Sequence, residues 1–244
     1  MMFPNFSQAM KSPDPYSGDR EGILAKIREA LREEAPLKHP AERSAGGEPT
    51  TEHFRKWLPP VGAGSGERLS LFRHLSETLK TELHPCENTE KAAQTFNKLA
   101  QDNGWKKIAL HRGELCDGLA EHFSRGVERL YVDDGYEKAD LESCDAGLSE
   151  CELLVAQTGS ICVTGPSSGG RVLSVLPPHH VVIARRSQLV TDLTEAYTSL
   201  AAKYRGKYPS MISFITGPSR TGDIERILVL GAHGPKRLTL LLIP

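Results

Sequence analysis

Apolar positions recur at helical spacing in several stretches of the chain and as short β-branched runs in others. Ile23, Leu24, Ile27 and Leu31 share one helical face, with Asp19 placed to cap the first turn. Leu69, Phe72, Leu75 and Leu79 form a second stripe, which predicts a helix over 66–83. Ala92, Phe96 and Leu99 follow Thr89 in a third, closed by Gly104, whose freedom to take positive φ suits a helix end. A further helix is predicted over 191–204. Runs rich in Ile, Leu and Val predict strands at 107–110, 129–132, 153–156, 161–163, 180–184, 211–215 and 238–243. Gln157-Thr158-Gly159-Ser160 separates two of these runs by a hairpin-like turn. Strands alternating with helices imply crossover units, hence an α/β fold: three layers, α/β/α, with a mixed, largely parallel sheet covered on both faces.

Two regions lack such patterning. Residues 1–18, with Pro4, Pro13 and Pro15, read as a flexible arm, and 36–66, rich in Pro, Gly, Glu and His, as a linker anchored by Trp57 and Leu58. The expected organisation is an N-terminal arm with a short helix and linker over 1–60, then an α/β domain over 61–244.

Net charge changes the picture by exclusion. At −1 over 244 residues there is no basic face of the kind a phosphate backbone selects, so no nucleic-acid partner is expected. No apolar run approaches the roughly 20 residues of a membrane span. The start carries no basic region followed by an apolar core, so the cytoplasm is the expected location. The five cysteines, at 86, 116, 144, 151 and 162, include no Cys-x-x-Cys pair, which suits reduced thiols rather than a cluster or disulfide framework. With no His-x-x-x-His either, no metal site is expected in this chain.

Candidate chemistry concentrates in the second half. Gln157, Thr158, Gly159 and Ser160 offer a carboxamide and two hydroxyls on a turn that also needs such residues simply to bend. Pro177-Pro178 precede His179 and His180, and His179 is the candidate hydrogen-bonding or acid–base imidazole. The loop 165–171 has a phosphate-loop composition without the Lys-Ser/Thr ending. Gly217-Pro218 leads into Ser219, Arg220, Thr221 and Asp223, where a planar guanidinium flanked by hydroxyls suits a carboxylate or phosphate. Arg220 paired internally with Asp223 or Glu225 is the structural alternative. Ser219, His233 and Asp223 are of triad type, but no Gly-x-Ser-x-Gly elbow presents the serine. The expected ligand pocket comprises Gln157, Thr158, Gly159, Ser160, His179, Gly217, Ser219, Arg220, Thr221, Asp223 and His233.

Four of these segments, 157–160, 176–180, 216–225 and 231–235, together resemble the lactate utilization protein C family, the stand-alone LUD domain proteins. That resemblance implies a fold like ribose-5-phosphate isomerase A, glucosamine-6-phosphate deaminase and the CoA transferases. It also implies a role in oxidising L-lactate to pyruvate beside iron–sulfur partner proteins, which carry the clusters. Gln157 stands where the family pattern has Glu, and a carboxamide cannot act as a carboxylate nucleophile or base. The implied role is a non-catalytic or assisting component that binds a small carboxylate or phosphate. The alternative is an independent enzyme on a small phosphorylated or acyl substrate, by fold analogy.

Overall fold

The computed structural model describes residues 17–30, 32, 58–221, 229–231 and 233–244. Its contacts divide the chain into two units, Met1–Arg55 and Lys56–Pro244. In the first, helix α1 (Ser17–Ala30) follows the predicted stripe, and Ile23, Leu24 and Ile27 are exposed. Leu31 and Trp57 lie outside the described residues.

The second unit opens with α2 (Ser65–Thr78), β1 (Thr81–Pro85), α3 (Thr89–Asn103), β2 (Lys107–Leu110), α4 (Glu114–Ala120) and β3 (Glu128–Tyr131). It continues with α5 (Lys138–Glu142), β4 (Ala146–Glu150), the hairpin strands β5 (Leu153–Val155) and β6 (Ser160–Thr164), and β7 (His179–Arg185). The last elements are β8 (Leu189–Val190), α6 (Leu193–Tyr204), β9 (Ile212–Ile215), β10 (Arg220–Thr221), β11 (Val229–Leu230) and β12 (Arg237–Ile243).

Local chemistry sets several boundaries. The Asn88 side chain accepts from Lys91 N at 2.9 Å to start α3, and Gly104 ends it at φ 66°. The helix expected over 66–83 is shorter, because Lys80 takes φ 69° and the chain then enters β1. Leu79 and Leu83 keep helical spacing, which masks the change, but Leu83 packs on the sheet beside Leu240 of β12. Pro85, which has no N–H to donate, is tolerated because β1 is an edge strand.

Six strands form the main sheet in the order β1-β12-β7-β4-β2-β3, every neighbouring pair parallel. The mixed pairing resides in a second sheet, β8-β5-β6-β9, whose hairpin turns at 156–159. Side chains alternate across the main sheet. Val181, Ile183, Leu241 and Ile243 pack with Phe96, Trp105 and Leu119 under α3 and α4. Val182, Ala184, Leu240 and Leu242 face Phe72 of α2 and Leu154 and Ile161 of the second sheet. Ala109, Leu141 and Leu173 close the same side near β2. The main sheet is thus buried on both faces, and each strand position has a fixed side.

Candidate functional site

That alternation separates two adjacent histidines at the start of β7. His179 turns toward the α3 face, where its Nε2 lies 2.8 Å from Thr239 Oγ1 and its ring meets Trp105 edge-on, centroids 5.0 Å apart. Thr239 donates to Glu82 at 3.4 Å, and the same carboxylate takes two bonds from Arg237 at 2.9 Å. His179 therefore belongs to a polar chain on the helical side. His180 turns the other way, with Nε2 2.8 Å from Ser149 Oγ, and it is 1% exposed. Burial pushes His179 down to about 4 and His180 to about 3, the latter aided by its neighbour.

His180 forms the floor of a cleft of about 150 Å³ walled by Ser174, Gly217, Ser219, His233 and Pro235. Its walls come from three segments. Gly147 pairs in register with His180, and a Cβ there would meet Leu173 O at 2.7 Å and Pro177 Cγ at 3.0 Å. The bare glycine lets 173–177 lie on the sheet and carry Ser174 to the cleft. The second and third walls are zipped together. Ser219 N donates to Pro235 O and Gly231 N to Ser219 O, both at 2.9 Å, and β10 pairs with β11. The cleft lies at the amino ends of β7 and β12.

The remaining candidates gather beside the cleft, at the C-terminal end of α2. Ser160 Oγ donates to Thr158 Oγ1 at 2.7 Å and so accepts from Thr216 Oγ1 at 2.8 Å, tying the hairpin turn to the loop after β9. Gly159 sits at φ 65°, and a Cβ there would meet Ser76 N at 2.9 Å. Arg220 Nη2 donates to Leu79 O, a carbonyl at the negative end of α2. The Gln157 carboxamide donates to Pro59 O at 3.0 Å, a bond a carboxylate cannot make.

Of the predicted pocket residues, then, Gly217, Ser219 and His233 line the cleft. Gly159 and Arg220 meet the end of α2, Thr158 and Ser160 tie the hairpin turn to Thr216, and Gln157 holds Pro59 ahead of the helix. Thr221 enters as a β10 backbone pair with Val229. Asp223 and Glu225 lie outside the described residues. His179 lies across the sheet from the cleft, and His180, Ser174 and Pro235 were not anticipated. The signal for His180 is alternation alone: it shares parity with the apolar Val182 and Ala184, which face the second sheet.

A second polar group occupies the carboxyl ends of β2 and β4. Ligand atoms of His111, Cys116 and Glu150 lie within 4.8 Å of one another, a clustering that the spacing in sequence hides. Glu150 Oε1 accepts from Leu115 N at 2.8 Å and Cys116 N at 3.2 Å, capping α4. His111 Nε2 accepts from Glu150 N at 3.3 Å, and burial lowers His111 and raises the Cys116 thiol. Those acceptors are engaged within the fold. The loop 165–171 covers this group rather than an open anion site, with Gly169 against His111 and Val132. A larger depression of about 520 Å³ runs along α3 by Gln94, Asn97, Lys98 and Trp105, without a buried titratable group.

The architecture is that of a three-layer α/β domain with one small cleft floored by a buried imidazole. The LUD domain profile matches residues 69–243. The chain belongs to the LUD domain family. It is 28% identical over 230 residues to a lactate utilization protein C of Exiguobacterium sp., covering 92% of this chain and 96% of that protein. It is 30% identical over 162 residues to a lactate utilization protein C of Anoxybacillus flavithermus, covering 64% of this chain and 71% of that one. Among solved structures, a DUF162 family protein from Deinococcus radiodurans superposes with a TM-score of 0.59 at 20% identity. That superposition covers 75% of this chain and all of the other, and it supports the same fold. No helix among the described residues is long and apolar enough to cross a membrane.

Proposed function

We propose that this protein is the component without iron–sulfur clusters in an L-lactate utilization system, working beside iron–sulfur proteins and binding a small carboxylate. The names of its relatives supply the pathway. The observation that carries the binding role is the cleft over His180, where a buried imidazole, the Ser219 hydroxyl and the His233 ring converge. At about 150 Å³ it is smaller than the roughly 300 Å³ at which drug-sized pockets begin, so it suits a ligand of a few heavy atoms. The hydroxyl and imidazole at the rim are donors suited to a carboxylate. The five cysteines include no Cys-x-x-Cys pair of the kind that brings thiolates together on a cluster.

The reading is tested by affinity purification of the tagged protein from cells grown on lactate, combined with calorimetric titration of small carboxylates. Recovery with iron–sulfur proteins and saturable binding of one acid are expected. Turnover of sugar phosphates or CoA thioesters by the isolated protein would instead make it an independent enzyme.

A further inference from the structure

The order of strands in the main sheet reverses between β2 and β4. From β2 the chain passes through α4 to β3 on one side, and from β4 it passes through the hairpin β5–β6 to β7 on the other. The two connections also leave on opposite faces: α4 packs with one core and the hairpin with the other. Where neighbouring connections part in this way they open a crevice at the carboxyl ends of the strands, the usual ligand position in open parallel sheets. His111 directly follows β2, Glu150 ends β4, and Cys116 reaches the same point from the first turn of α4.

We propose that His111, Cys116 and Glu150 form a binding site for a zinc-class divalent ion at this switch point, covered by the loop 165–171. Their ligand atoms lie within 4.8 Å of one another, and His111 and Cys116 are 2% and 0% exposed. Donor atoms on a tetrahedral zinc ion stand roughly 3.3–3.8 Å apart, given bonds of about 2.0–2.3 Å, so small side-chain rotations bring the three onto one ion. Imidazole, thiolate and carboxylate are the donors zinc takes, whereas the thiolate does not suit magnesium or calcium. Glu150 Oε1 accepts two N–H groups, which does not exhaust the four or so lone-pair sites of a carboxylate. The 3.3 Å bond at His111 Nε2 is longer than a well-formed one and yields to the ion. The Cys116 proton leaves to solvent as the thiolate ligates. Bare glycines permit the approach, since a Cβ at Gly113 would collide with Glu150 Oε1 and His111 Cε1. The site lies at the opposite strand ends from the cleft over His180 and is independent of what that cleft binds.

The test is calorimetric titration of zinc into the full chain after dialysis against a chelator, with X-ray absorption spectra of the zinc-loaded protein. Saturable uptake of one equivalent is expected, with a higher melting temperature because the ion binds the folded state alone. The spectrum should show one sulfur at about 2.3 Å among nitrogen and oxygen neighbours. Cys116→Ala and Glu150→Gln should each weaken zinc binding at least about tenfold, the least that even outer-shell partners of an ion cost. Absence of saturable uptake by the wild type would overturn the site. So would an unchanged affinity in a folded Cys116→Ala variant. A zinc shell without sulfur would overturn it from the wild type alone, even where the variants fail to fold.

Discussion

Arg220 donates from its guanidinium to the carbonyl of Leu79, the residue that closes helix α2, across 141 positions of sequence. A cation at a helix C-terminus meets both an orphan carbonyl and the negative end of the helix dipole. The bond also fixes the loop that walls the cleft, which carries Gly217 at φ 91° so near the same carbonyl that an added Cβ would collide with it.

Arg220→Ala is expected to cost about 1 kcal/mol of stability, the upper range for an exposed charge at a helix end. Carboxylate affinity should fall only modestly, through a looser wall. Chemical denaturation and calorimetry on the same variant separate the effects. A large loss of affinity at unchanged stability would put the guanidinium on the ligand instead.

Gly217→Ala should be worse. Positive φ disfavours any side chain, and the added methyl would run into the backbone at Leu79. A loss of about 2 kcal/mol or more is expected, with weaker binding as the loop shifts. A melting temperature equal to wild type would mean that the loop does not hold this conformation.

Most of the scaffold was legible because helices and buried strands announce themselves by period. The α3 stripe with Gly104, the hairpin at 153–163 and the apolar run of β12 all follow from local pattern. What escaped depended on partners distant in sequence. β1 hid behind the helical spacing of Leu79 and Leu83, and only its pairing with β12 made it a strand. In sequence the site residues form one pocket because they are polar or turn-forming, yet a turn that holds a helix end uses the same types as a turn that meets a ligand. Choosing between His179 and His180 required the face of β7, which is set by what packs above and below it. His111, Cys116 and Glu150 meet only because β2 and β4 are neighbours in the sheet.

Gln157→Glu, which restores the residue of the family pattern, would set a carboxylate against Pro59 O in place of an N–H donor. Losing that bond and opposing two acceptors should cost about 1–3 kcal/mol at neutral pH. The loss should shrink in acid as the new carboxyl is protonated and becomes a donor. Denaturation at two pH values measures it. A stability equal to wild type at both would show that the carboxamide bond contributes nothing.

Acid should weaken the wild-type fold through its buried histidines. His179 and His180 titrate near 4 and 3 in the folded chain, against 6.5 when exposed. Between those limits the unfolded chain holds more protons, so stability is fully present above about pH 6.5 and is lost as pH falls toward the folded values. Each such histidine contributes a slope of about 1.4 kcal/mol per pH unit. His111, also lowered by burial, adds in the same direction. His179→Gln and His180→Gln should each remove one histidine's share of that slope, whatever they do to stability at neutral pH. Denaturant midpoints recorded from pH 7 to pH 4.5 give the comparison. A wild-type profile that stays flat down to pH 5 would mean that these imidazoles reach solvent and protonate without disturbing the fold.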